Sequence, residues 1–263
     1  MDLGIRGKVA LVAASSQGLG LAVARELAAE GVRLIMCARN ESVLNKSGVS
    51  IAQSYGTEVL SVAADLSKLE DIQRMFELSF ARFGQVDILV TNSGGPPAGT
   101  FEKIGANDWA AAVNGLLMSA VEMSRLVLPG MKERRWGRIL NITSIASKQP
   151  VEDLLLSNSI RAAVTGFAKT LAAEIAPFGI TVNNIMPGYT ATDRVQALAE
   201  SLALKSGSEA NEVRERWERE IPMGRLGRPD EFAAAAAFLV SDRASYITGA
   251  SVQVDGGWTR SIF

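Results

Sequence analysis

"AASSQGLG", residues 13–20, is the stretch that decides the fold. It follows an apolar run, Val9 to Ala13, and leads directly into a segment whose Leu19, Val23 and Leu27 share one helical face, with Gly31 as the stop. Glycines between a strand and a helix let backbone amides and the helix N-terminus close on a pyrophosphate, where a side chain would block the approach. An ordinary turn uses glycines too, but the strand before and the amphipathic helix after favour nucleotide binding. The residues that would meet the phosphates are Ser15, Ser16, Gln17, Gly18, Leu19 and Gly20.

Further apolar β-rich runs recur along the chain: Leu34 to Cys37, Val59 to Ala63, Ile88 to Thr91, Ile139 to Ile142, Thr181 to Met186 and Ser251 to Val254. Each reads as a strand buried on both faces, with helix-period segments between. The alternation predicts an α/β fold, a single Rossmann-like domain over residues 1–263 with a doubly wound parallel sheet of about seven strands and flanking helices. Residues 193–221, charged and helix-prone with "EVRERWERE" inside, read either as a solvated helix face or as a lid over the carboxyl edge of the sheet.

The chain has 263 residues, 48% hydrophobic and 21% charged, enough for one good-sized core. Its longest unbroken apolar run, Phe232 to Val240, is too short for a membrane span, and the N-terminus lacks the layout of a cleavable signal. A soluble, cytoplasmic protein is expected. One cysteine, Cys37, and no histidine exclude an internal disulfide and the usual zinc and haem ligand sets, so no metal is expected. With 27 basic and 28 acidic residues, a net charge of −1 gives no general attraction to nucleic acid or membrane, which leaves a small molecule as the expected partner.

At the end of the second strand stands "CARN". An acidic residue about 20 positions past the glycine turn would accept ribose hydroxyls, whereas Arg39 is a cation suited to a 2′-phosphate, so NADP(H) is favoured over NAD(H). A solvated arginine after a strand remains the alternative, since Gln17 adds no second charge.

Together these pieces resemble the short-chain dehydrogenase/reductase family, from about Gly7 to Gly257, and in particular its members like 3-oxoacyl-acyl-carrier-protein reductase. Matching motifs are "AASSQGLG", "ADLS" with Asp65 and Leu66, "TNSGG" (91–95), "VNG" (113–115), "NITS" (141–144), "GITVNNIMPGYTAT" (179–192) and "ITGASVQVDGG" (247–257). The resemblance implies hydride transfer between a nicotinamide and a carbonyl or alcohol, in a homodimer or homotetramer. It also implies Asp65 near the adenine and Asn92, Ser93 and Gly94 along the cofactor channel. Pro187, Gly188, Thr190 and Thr192 would approach the nicotinamide carboxamide.

Two departures lie at the edges of that pattern. The first glycine of the turn is Ala14, preceded by Ala13, and a methyl group is tolerated there only if φ stays negative. "GGPP", residues 94–97, stiffens the loop after the fourth strand.

The larger departure is catalytic. The family uses an Asn, a Ser, and a Tyr and Lys four residues apart on one helical face. By resemblance Asn114 and Ser144 fill the first two places, but thirteen positions past Ser144 stands Ser157, and four further on Arg161. Lowering a phenol from a pKa near 10 to about 7 takes roughly 4 kcal/mol, which a close cation supplies; an aliphatic hydroxyl is a far weaker acid. Ser157 therefore donates a hydrogen bond at most, or serves as a helix N-cap, while Arg161 is a fixed cation able to hold a ribose. Tyr189 and Lys148 are candidate substitute acids, and ordinary pocket or surface residues otherwise.

Three readings follow: an NADP(H)-dependent oxidoreductase with a modified site of Asn114, Ser144, Ser157 and Arg161; a silent NADP(H)-binding sensor or assembly subunit; and an elimination or isomerisation enzyme that needs no tyrosine. Segments 96–103, 146–156 and 193–221 would shape the substrate pocket, and the alanine-rich helices near residues 107–127 and 157–176 either pack against a partner subunit or cover the sheet.

Overall fold

The computed structural model describes residues 2–262. Seven strands form one parallel sheet: β1 (Val9–Val12), β2 (Arg33–Ala38), β3 (Val59–Ala63), β4 (Ile88–Thr91), β5 (Gly137–Ile142), β6 (Ile180–Pro187) and β7 (Ser251–Val254). Their order is β3-β2-β1-β4-β5-β6-β7, so the chain reverses direction across the sheet between β1 and β4. That is the crevice where ligands bind in doubly wound sheets.

Alternate residues of each strand face opposite helical layers. Ala10, Val12, Leu34, Met36, Ile88 and Val90 pack under α1 (Gly18–Ala29), α2 (Glu41–Tyr55) and α9 (Pro229–Leu239). Val9, Leu11, Ile35, Cys37 and Leu89 pack under α3 (Leu69–Phe83), α5 (Ser119–Arg134) and α6 (Leu155–Ile175). Remaining elements are α4 (Ala106–Ala112), α7 (Asp193–Ser206) and α8 (Ala210–Glu220), the last two from the charged segment 193–221.

All seven expected strands are present, three of them two residues longer and β1 one residue shorter, but not all are buried on both faces. β3 and β7 are the sheet edges, each with one side open, and most of their residues are half-buried. The segment Phe232 to Val240 forms most of α9, whose Phe232, Ala233, Ala236 and Ala237 are buried. The helical run 106–134 is also long and apolar enough for a membrane span, although charged residues interrupt it. Its Met123, Val127 and Met131 are buried against the sheet, as a core helix requires.

Ala14 departs from expectation. Its φ is +47°, left-handed, where a negative value was the condition for tolerating the methyl. The turn needs that conformation to bring Ser15 N back to Cys37 O at 3.0 Å, and the Ser15 hydroxyl donates inward to Val12 O at 2.8 Å.

Candidate active site

One register row of polar side chains runs across four neighbouring strands, from the last residue of β4 to the first residue of β7. Thr91 Oγ1 donates to Asn141 Oδ1 (2.7 Å), Asn141 Nδ2 to Asn184 Oδ1 (3.1 Å), and Asn184 Nδ2 to Ser251 Oγ (3.2 Å). These four residues face one another in register across β4, β5, β6 and β7. Thr91, Asn141 and Asn184 are buried, so each polar group needs the partner it has. The row fixes the register of these four strands relative to one another. Its members lie within recognisable motifs, yet nothing in the sequence shows that they bond to one another.

Directly above sits Arg161. It is 9% exposed, and its Nη1 donates to Ile142 O (3.0 Å) and Thr143 O (2.7 Å), the carbonyls at the end of β5. Among the described residues its Nε and Nη2 have no hydrogen-bond partner and it forms no ion pair. Burial, with the charge of Arg194 adding to it, pushes the guanidinium down to about 10, so it stays a cation at neutral pH. Arg161 also lines a chamber of about 10 Å³ with Thr91, Asn92, Ser93, Leu116, Ser119 and Thr143, room for about one water.

Ser157 lies one helical turn before Arg161, buried, and among the described residues its hydroxyl has no partner. It is not the N-cap. α6 begins two residues earlier, and Asn158 holds the approach by accepting from Val151 N (3.2 Å) and donating to Val151 O (2.9 Å). Ser144, next to the carbonyl that Arg161 holds, caps a 3₁₀ turn by accepting from Ala146 N at 3.1 Å, which leaves its hydroxyl proton free to donate. Asn114 lies in a single π-helical stretch, Val113–Met118, between α4 and α5. Such bulges turn a side chain away from the helical register, and Asn114 is exposed while its neighbour Leu116 reaches the chamber.

The glycine turn meets this group from the other side. Asn92 Nδ2 donates to Ala14 O at 3.4 Å, and a Cβ on Gly20 would collide with that same carbonyl and stand 3.0 Å from Asn92 Nδ2. Gly18, at φ +60°, faces Thr192, whose methyl would lie 4.0 Å from an added Cβ. Thr192 also caps α7, accepting from Val195 N at 3.4 Å. Ser15, Gln17, Leu19 and Gly94 show no contact that ties them to Arg161 or Asn92, and Ser15 is fully buried. The Ser16 carbonyl accepts from Ser47 Oγ.

Farther out, Arg39 follows β2 and is exposed. Asp65 follows β3; burial pushes its carboxyl up, but two hydrogen bonds from Ser67 and the charges of Arg39 and Lys68 outweigh this and hold it below its ordinary value. Leu66 is buried beneath it. Pro187 ends β6, Gly188 packs against Asp255 where a Cβ would stand 2.7 Å away, and Thr190 is buried in a bridge to Gly227.

Neither substitute acid is well placed for the role. Tyr189 stacks on Trp217 with ring centroids 4.4 Å apart and meets Trp258 edge-on at 5.9 Å. Burial, reinforced by Glu220, pushes its phenol up to about 12, the wrong direction for a proton donor near neutrality. Its ring pins the base of α8 instead. Lys148 is half-buried, and nothing in its contacts directs its amine to Ser144.

A nucleotide fits this arrangement: Gly20 keeps the turn open, and Arg161, with donors to spare, lines the chamber beside Asn92. The sequence also matches, over residues 13–259, the family described as Enoyl-(Acyl carrier protein) reductase. The chain belongs to the short-chain dehydrogenase/reductase family. It is similar to a D-beta-hydroxybutyrate dehydrogenase of Cupriavidus necator, 36% identical over 97% of this chain and 98% of that one. A 3-oxoacyl-[acyl-carrier-protein] reductase of Aquifex aeolicus is 32% identical over 98% and 99%. Among solved structures, L-sorbose reductase from Gluconobacter frateurii, complexed with NADPH and L-sorbose, superposes with a TM-score of 0.95 at 34% identity over the whole of both chains. As a short-chain dehydrogenase/reductase the protein is an oxidoreductase built for a nicotinamide cofactor.

Proposed function

We propose that this short-chain dehydrogenase/reductase is an NADP(H)-dependent oxidoreductase acting on a carbonyl or alcohol through Asn114, Ser144, Ser157 and Arg161. The observation that carries the reading is Arg161. Nη1 is spent on the carbonyls of Ile142 and Thr143, and Arg161 lines the chamber beside Asn92 and Ser93 with its other donors unspent. A guanidinium so fixed holds ribose hydroxyls in a fork and keeps a positive charge where negative charge develops. When bound, the nicotinamide supplies or accepts hydride. Ser144 donates to the substrate oxygen and Ser157 adds a second hydrogen bond; neither is acidic enough to serve as a tuned donor. Asn114 holds water at the π-helical bend, from which the proton is drawn.

In this reading Ser15 to Gly20 and Asn92 to Gly94 line the nucleotide channel, Asp65 and Leu66 flank the adenine, and Pro187, Gly188, Thr190 and Thr192 border the carboxamide. Arg39 favours NADP(H), α7 and α8 form a lid, and the enzyme works in the cytoplasm as a homodimer or homotetramer. The buried Ser157 specifically favours a second reading, a nucleotide-binding protein without turnover.

Fluorescence titration with NADPH and NADH, followed by a carbonyl screen of the native protein and of Ser157→Tyr with Arg161→Lys, separates the two. Positioning retains activity without the acid, and restoring the acid raises it by about 10²- to 10⁴-fold. NADPH binding with no turnover in either protein establishes the silent reading, and failure to bind either nucleotide refutes both.

A further inference from the structure

Two arginines, Arg161 and Arg194, lie near enough for the charge of one to act on the other. Arg194, in the first turn of α7, reaches back across the cleft mouth, where its Nη2 donates to Pro96 O at 3.3 Å. It lies against Gly95, where an added Cβ would stand 2.8 Å from Nη2, so the glycine makes the room the guanidinium occupies. The stiff Gly-Gly-Pro-Pro loop thereby fixes a side chain that sequence alone gives no reason to single out. Among the described residues neither Arg194 nor Arg161 forms an ion pair.

Arg194 is exposed, but its guanidinium is turned back onto the loop after β4. Its charge is felt at the buried Arg161, which it helps to push down. Two like charges facing one cleft repel, and an anion placed between them relieves the repulsion while gaining charge-assisted hydrogen bonds.

We propose that Arg194 is the anion-recognising residue of the substrate pocket, and that the substrate is an oxo acid, a carbonyl compound bearing a carboxylate. The inference deepens the oxidoreductase reading and rests on it for the carbonyl; the carboxylate rests on Arg194 alone. In this geometry the carboxylate is held at the mouth by the Nη1 and Nε donors of Arg194 not given to Pro96. The carbonyl is directed inward to Ser144 and Ser157.

The test is calorimetric binding of acetoacetate, 2-oxobutyrate and their methyl esters to the native protein, with and without NADPH. Acid and ester share the carbonyl and differ in the charge. In the native protein an acid is expected to bind about 10- to 100-fold more tightly than its ester, the worth of one charge-assisted contact. In Arg194→Met that preference falls to near one while the NADPH dissociation constant changes less than about twofold, and Arg194→Lys recovers part of it. Equal binding of acid and ester to the native protein, no binding of either, or a preference that survives in Arg194→Met overturns the proposal. So does a large loss of NADPH affinity in Arg194→Met, which would assign the cation to the cofactor's phosphates. Acid binding with no turnover in the carbonyl screen of either the native protein or Ser157→Tyr with Arg161→Lys leaves the inference standing and refutes the oxidoreductase reading.

Discussion

Replacing Ala14 by glycine should stabilise the protein, against the usual direction for such a change. At φ +47° an L-residue carries about 1–2 kcal/mol of left-handed strain, which glycine removes. Against this stand about 0.4–1 kcal/mol of unfolded-chain entropy and roughly 0.4 kcal/mol for a half-buried methyl. The balance is a gain of about 0.5 kcal/mol. Ala13, its neighbour, is fully buried and not left-handed, so Ala13→Gly loses the whole methyl and the entropy, about 1.5 kcal/mol. The two substitutions, one residue apart, should thus differ by about 2 kcal/mol and in sign. Urea unfolding of the cofactor-free protein, with the m-value unchanged, measures the difference. If Ala14→Gly destabilises as much as Ala13→Gly, the strain argument is wrong.

Three further outcomes are expected. Asn141→Leu breaks the side-chain row at two bonds and strands Thr91 and Asn184, costing about 2–4 kcal/mol in chemical denaturation; a loss under about 1 kcal/mol would mean the row carries no weight. Arg39→Ala should weaken NADPH about tenfold or more and leave NADH unchanged, and parallel losses for both would place Arg39 away from the 2′-phosphate. Burial raises the Cys37 thiol from 9.0 to about 11. Because the folded value is the higher one, its stabilising contribution is complete below pH 9 and is lost as pH rises to about 11, some 2–3 kcal/mol in all. Cys37→Ala should flatten that decline, and an identical alkaline loss in the variant would assign it elsewhere.

Strand positions, parallel pairing and the glycine turn were legible because each depends on local pattern: apolar runs, helical periodicity and glycines at a junction. Burial at β3 and β7 was not, since an edge strand differs from a central one only in what lies beside it. The backbone of Ala14 was misjudged because its conformation is imposed by the bond from Ser15 N to Cys37 O, a contact between residues far apart in sequence. Ser157 looked like an N-cap from the apolar residues around it; the helix starts earlier because Asn158 secures the preceding loop. Tyr189 stood next to the right turn, but aromatic packing from α8 and Trp258 decides its acidity. Arg194 gave no sign at all, because its meaning lies in Gly95 and Pro96, about a hundred residues away.

The stack of Tyr189 on Trp217 also has an optical consequence. The chain has four tryptophans, of which Trp136 is held between Lys8 and Arg138 at the start of β5, the opposite edge of the sheet. Trp217 and Trp258, coupled to a single tyrosine, therefore give the near-ultraviolet circular dichroism a chiral signature that belongs to α8 and the turn after β6. Trp109 packs in a separate apolar cluster, so the difference between the native signal and that of Trp217→Phe reports movement of that helix in the unlabelled protein.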